Sequence, residues 1–314
     1  LSNSSGYSSG PQLAVGSDGI VHVIWYGSTA SNTGLFYAQR APSGAWSTPQ
    51  FVTTGQSPQM AVDNRGIVHL LWRDFGIRYA QRTLNGLWTV PLSLAANGSQ
   101  PQLAVVADGN VYAFWIQDLG PGSYAPFYAH RFGTTWSHPQ QVAGLSLYSP
   151  VLSQPRLDGS GMPHLLIYGL ESYANAPVYY AKLGTGGSWE KTKIATYHNS
   201  PVVEADLVVE INGAVHAAWI GGDSEPSLFY DHKASTGSWS EPQRLVSGID
   251  PREWYEGPFL QMAVDSTGLP HLAWSDKSPD EIFYIQRQAG GSWSQVLNVS
   301  NTPLSSWGPQ LLIN

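Results

Sequence analysis

The 314-residue chain contains no cysteine, which excludes disulfides, thiol nucleophiles and cysteine-ligated metals. Charge is scarce as well. Asp, Glu, Lys and Arg together make up 12% of residues, only five are lysines, and the net charge is -7. A phosphate backbone is bound by a basic stripe, and none is present, so no nucleic-acid partner is expected. Hydrophobic runs stay well below the roughly 18 apolar residues of a membrane-spanning helix, so no membrane insertion is expected either. The chain opens on Leu1 rather than on Met and reads as a mature or excised segment. Together with the few lysines and the Ser-, Gly- and Asn-rich loops, this sets the expectation of an extracellular or cell-surface protein.

What the chain has in abundance is Gly (33), Tyr (16) and Trp (13), arranged in a repeat. Residues 9 to 25 read SGPQLAVGSDGIVHVIW, residues 57 to 72 SPQMAVDNRGIVHLLW, and residues 260 to 274 LQMAVDSTGLPHLAW; weaker copies start near Gln100, Ser153 and Ser200. Each copy is followed by a Tyr (Tyr37, Tyr79, Tyr128, Tyr180, Tyr230, Tyr284). A Gly-rich turn and a Trp come next (Trp46, Trp88, Trp136, Trp189, Trp239, Trp293). A period near 50 residues marks a repeat architecture. Within one copy, Gln59–Val62, Val68–Trp72, Ile77–Gln81 and the segment from Trp88 onward read as four short strands, the first two joined by the hairpin turn Asp63–Gly66.

Four antiparallel strands written six times predict an all-β fold, a six-bladed β-propeller in one domain over residues 1–314, with a seven-bladed ring as the alternative. The repeats fall at about 9–56, 57–98, 99–146, 147–198, 199–246 and 247–300. Residues 301–314 hold Trp307-Gly-Pro-Gln-Leu-Leu-Ile313, a further copy of the first strand that would be surplus, close the ring, or serve assembly through the terminal strands.

Five histidines share one repeat position: His22, His69, His164, His216 and His271. Tyr112 replaces them in the third repeat, which a hydrogen-bonding aromatic tolerates better than a metal ligand does. No metal site and no cofactor is therefore expected. Counting back across the hairpin places these rings opposite small residues (Ala14, Ala61, Ala104, Ala263, with Val208 in the fifth repeat), and each His is expected to tie neighbouring blades together. The recurring Trp and Tyr residues are expected to be buried almost without exception. A polar residue opens each first strand: Gln12, Gln59, Gln102, Asp206 and Gln261, with Arg156 or Gln154 in the fourth repeat. Arg156 and Asp206 break the Gln pattern and are candidate ligand-binding residues at a channel mouth. The second candidate stretch is the insert Asp250–Gly257, where Arg252, Glu253, Trp254, Tyr255 and Glu256 combine aromatic faces for sugar rings with charges for hydroxyls.

The turns Ser43-Gly-Ala-Trp46, Gly186-Gly-Ser-Trp189, Thr236-Gly-Ser-Trp239 and Gly290-Gly-Ser-Trp293 look like degenerate Asp-box turns. With the Pro-Gln-Leu-Ala-Val and Val-His-Val-Ile-Trp strands, the chain resembles bacterial secreted proteins of the BNR-repeat, sialidase-like propeller superfamily. That resemblance implies the propeller fold over essentially the whole chain. It does not carry over the sialidase catalytic set: the first arginine is Arg40, in an expected third strand, and no Arg-Ile-Pro motif occurs. The leading expectation is a non-catalytic propeller that binds glycan or a surface protein through its face loops. A glycoside hydrolase, needing two carboxylates from among Glu204, Asp206, Glu253 and Glu256, is one alternative. A structural subunit of a surface assembly is the other.

Overall fold

The structure is a computed structural model and describes residues 6–172, 174–198, 200–250, 260–302 and 304–313. No described residue is helical; every regular element is a β-strand. The strands form six antiparallel meanders of four strand positions each, the blade content of a six-bladed β-propeller. Two compact units divide the chain, Leu1–Ser146 and Leu147–Asn314, with the boundary at the junction of the third and fourth repeats.

Unit 1 holds blade 1 (Ser8–Val15, Val21–Ser28, Thr33–Arg40, Gln50–Thr53), blade 2 (Gln56–Val62, Val68–Arg73, Ile77–Arg82, Leu92–Ala95) and blade 3 (Gly98–Val105, Val111–Gly120, Ser123–Phe132). The outer strand position of blade 3 is broken into Thr135–Trp136 and Gln140–Gln141. Unit 2 holds blade 4, whose first strand is broken into Tyr148–Leu152 and Arg156–Leu157 before Pro163–Leu170, Asn175–Leu183 and Trp189–His198. Blade 5 (Glu204–Val209, Val215–Gly221, Ser227–Lys233, Gln243–Ser247) and blade 6 (Leu260–Val264, Pro270–Asp276, Glu281–Gln286, Leu297–Asn298) complete it.

The second and third strands of each blade read as nearly continuous apolar runs because both of their faces are covered. Leu70 and Trp72 of blade 2 pack with Ile24, Leu35 and Tyr37 of blade 1. Trp219 and Leu207 of blade 5 likewise meet Tyr168 and Val178 of blade 4. The first strands carry a bulge at a recurring place: Gly10, Ser57, Gln100 and Ser149 all have φ between 48° and 56°, and the pairing register shifts across each of them.

The expected register holds. His22 lies opposite Ala14, His69 opposite Ala61, Tyr112 opposite Ala104, His216 opposite Val208 and His271 opposite Ala263. The expected partner of the histidines does not. Each ring bonds through Nδ1 to the third-strand Tyr of its own blade: His22 to Tyr37, His69 to Tyr79, His164 to Tyr180, His216 to Tyr230 and His271 to Tyr284, at 2.5–2.8 Å. Nε2 faces an acid of the preceding hairpin turn, Asp63 at 3.5 Å, Asp158 at 3.3 Å, Glu210 at 2.9 Å and Asp265 at 3.4 Å. The three aspartates also accept turn N–H groups, as Asp63 does from Arg65 and Ile67, so each of them pins the hairpin and the ring together.

The joining of neighbouring blades falls instead to the turn tryptophans. Trp88 of blade 2 stands edge-on to Tyr37 of blade 1, Trp136 to Tyr79, Trp239 to Tyr180 and Trp293 to Tyr230, with ring centroids 4.8–5.5 Å apart. These indoles lie at the blade rims, so they are half-buried rather than buried, and Trp46 of blade 1 is 40% exposed. Trp189 and Tyr284 are half-buried as well, whereas Trp72, Trp115, Trp219 and Trp274 are essentially inaccessible, as expected.

The C-terminal copy of the first-strand motif forms no strand within its described residues. The segment bonds to blade 6 through Ser306 N–H to Asp280 O and Gly308 N–H to Ser275 Oγ.

Candidate functional site

Between the first strands of blades 4, 5 and 6 lies a cavity of about 420 Å³. Its walls are Arg156 and Leu157, Val208 and Val209, and Gln261 to Val264, with Gln154 on one side and Gln310 to Ile313 of the C-terminal segment on another. The cavity thus presents one guanidinium and three carboxamides over an aliphatic surface. No carboxylate lines it among the described residues.

Arg156 and Asp206, the two sequence candidates in described regions, meet here across blades 4 and 5. Arg156 Nη2 donates to Asp206 Oδ1 at 3.2 Å, and Nε donates to Leu207 O at 3.0 Å. Asp206 also accepts from its own neighbour Leu207 N–H at 2.9 Å and, through Oδ2, from Met262 N–H of blade 6 at 2.9 Å. A buried carboxylate with three N–H donors is fully engaged in holding first strands together. Asp206 is therefore a support for the cavity wall rather than a group aimed into it. Arg156 is 35% exposed in its side chain and keeps further guanidinium N–H groups toward the cavity it lines.

The register corrects one expectation. Arg156 pairs with His164, which puts it at the position of Ala14 and Ala61; the equivalent of Gln12 and Gln59 is Gln154. The break in the first strand of blade 4 is the reason. Ser153 takes up both bonds to Leu166, its N–H donating to Leu166 O and its Oγ accepting from Leu166 N–H, and the strand resumes only at Arg156.

Glu204, named in the sequence only as a possible catalytic carboxylate, stands two residues before Asp206 on the same strand face. Burial and the Asp206 charge push its carboxyl up to about 8, so it carries its proton at neutral pH. It does not line the cavity, and Asp206 is sequestered. These two carboxylates do not converge with Arg156 on one open space, as a hydrolase would require. Arg252, Glu253, Trp254, Tyr255 and Glu256 lie outside the described residues. No group of three or more His, Asp or Glu side chains among the described residues could hold a metal ion. Gln154 and Gln261 were legible as polar residues opening first strands and Gln310 as the Pro-Gln of the C-terminal copy; that the three meet at one cavity was not legible.

No protein-family model matches the chain, and no curated protein does. Solved structures do. The BP39L lectin from Burkholderia pseudomallei superposes with a TM-score of 0.63 at 15% identity, over 95% of this chain and 87% of that one. A PL25 ulvan lyase bound to -[GlcA(1-4)Rha3S]- gives 0.60 at 12% identity over 90% and 82%. The virginiamycin B lyase from Staphylococcus aureus gives 0.56 at 11% identity over 96% and 87%. At these identities the likeness is one of fold: this chain has the architecture that those lectin and lyase structures share.

Proposed function

We propose that this chain is a carbohydrate-binding β-propeller of the extracellular space or cell surface that recognises glycan without transforming it. The observation that carries the reading is the composition of the unit 2 cavity: Arg156 with Gln154, Gln261 and Gln310 over aliphatic walls, and no carboxylate among the described residues. Carboxamides and a guanidinium bond sugar hydroxyls, and the guanidinium favours an acidic substituent such as a uronate or a sulfate. Two-carboxylate glycoside hydrolysis finds no pair among the described residues of that cavity. Structures similar in fold include a lectin and a lyase bound to a uronate-containing saccharide, which supports the ligand class. The Gly-x-Trp turns support a place beside the BNR-repeat, sialidase-like propellers.

The test is a glycan array of neutral, uronic-acid and sulfated oligosaccharides, probed with the wild type and with Arg156→Ala. Binding to acidic glycans that Arg156→Ala abolishes supports the reading. Binding to none, or turnover of any of them, overturns it. Fractionation of the producing cells checks the location.

A further inference from the structure

The turn between the second and third strands of blade 2, Asp74-Phe75-Gly76, departs from its surroundings in two independent ways. Phe75 has φ +47°, in the left-handed region that bulky L-residues avoid. Its side chain is also 94% exposed, so no burial offsets the strain. The corresponding turn of blade 6 has Asp280 in that region, a residue type that tolerates it. Strain kept in an exposed aromatic that packs on nothing points to a role outside folding.

Beside the ring opens a cavity of about 290 Å³, lined by Tyr26 and Thr33 of blade 1 and by Gln56, Arg73, Asp74 and Phe75 of blade 2. Gly55 completes the lining and must stay bare: its φ is +111°, and a Cβ there would lie 2.5 Å from Trp72 Cδ1 and 2.7 Å from Arg73 O. The polar groups are held in place. Thr54 Oγ1 donates to Asp74 Oδ2 at 2.9 Å, and Arg78 Nε donates to Asp74 O at 3.3 Å, fixing the carboxylate and the turn that carries the ring.

From this geometry we propose that the Phe75 cleft of unit 1 is a subsite for a single pyranose, stacked by its apolar C–H face on Phe75 with hydroxyls bonded to Asp74 and Arg73. A ring face, a fixed carboxylate, a guanidinium and a carboxamide around a small open cavity match the two-faced chemistry of a sugar. Only the ligand class is shared with the preceding reading; the two cavities lie in different units and fail separately.

The experiment uses the full chain labelled with 4-fluorophenylalanine. The Phe75 ¹⁹F resonance is assigned by its absence in Phe75→Gly. Methyl β-D-galactopyranoside, methyl β-D-glucopyranoside and sodium D-glucuronate are titrated as probes. The expected result is a saturable shift of the Phe75 resonance with at least one probe, an apparent Kd raised about tenfold or more in Asp74→Ala, and no change in Arg156→Ala. Phe75→Gly, which removes the ring and relieves the backbone, should keep or raise Tm. A Phe75 resonance that does not shift saturably with any probe overturns the proposal, and so does a Phe75→Gly protein that melts markedly lower, since the ring would then be a packing element. Array binding lost in Phe75→Gly but kept in Arg156→Ala would refute the unit 2 site while leaving this one standing.

Discussion

His69 offers the sharpest quantitative test of the scaffold. Its ring is inaccessible, with Tyr79 Oη at 2.8 Å on one side and Asp63 at 3.5 Å on the other. Burial lowers its pKa from 6.5 to about 4, against the opposing pull of the Asp63 charge. The folded state therefore binds this proton less readily than the unfolded chain. The stabilisation it contributes is complete above about pH 6.5 and is lost as the pH falls toward 4. A displacement of about 2.5 units corresponds to about 3 kcal/mol over the whole interval, of which about 2 kcal/mol is lost by pH 5. Urea unfolding of the wild type and of His69→Gln at pH 7 and pH 5, followed by tryptophan fluorescence, isolates this one proton. The other lowered histidines, His22, His164 and His216, remain in both proteins and cancel in the difference. The Asp63 carboxyl is held below its usual range and titrates under the interval. The wild type should lose about 2 kcal/mol more than the variant between the two pH values. Equal losses would mean that His69 is charged or solvated in the folded state, and the account of the acid-His-Tyr chain would fail with it.

Other expected outcomes follow from single contacts. Asp206→Ala removes the acceptor of Arg156 and of Met262 N–H and should cost about 2–4 kcal/mol by chemical denaturation, whereas Arg156→Ala, whose side chain is 35% exposed, should cost about 1 kcal/mol. The reverse order would contradict the assignment of Asp206 as the structural member of the pair. Trp239→Ala takes away the edge contact to Tyr180 at 5.0 Å and should lower stability by about 2–3 kcal/mol, against less than about 1 kcal/mol for Trp46→Ala at its more exposed rim position. Relief of the positive φ should make Phe75→Gly about 1 kcal/mol more stable, read as a rise in the urea midpoint.

The repeat was legible because it obeys two simple periods, alternation along a strand and recurrence along the chain. Those sufficed for six meanders and for the register that sets His69 against Ala61. The partner of the His was readable too, but needed one more step. His69 pairs with Gln81 on the third strand, so Tyr79, two residues before it, is its diagonal neighbour on the same face. Arg156 was misplaced because counting from Pro-Gln assumes an unbroken strand; counting back from His164 would have given its register. Phe75 left no comparable trace. A Gly after an aromatic marks a turn, but the sign of φ at the preceding residue is set by the three-residue closure between Arg73 and Ile77.

The same contrast bears on where chemistry should be sought. An acid, a His and a Tyr in bonded sequence would, in isolation, invite a proton-relay reading. Here the arrangement recurs in blades 2, 4, 5 and 6 with its His at most slightly exposed in each. A group that must meet substrate cannot be equivalent at four separate places and shut away at nearly all of them, so the recurrence itself argues for scaffold. Positions that the repeat does not require are under the opposite constraint. Arg156 replaces a small residue and opens a charged wall, and Phe75 holds a conformation that folding alone would give to glycine. Phe75 carries backbone strain that an exposed ring does not offset, and Arg156 keeps donors that its bonds to blade 5 do not use up, so under the proposals above these two departures are where a ligand is sought.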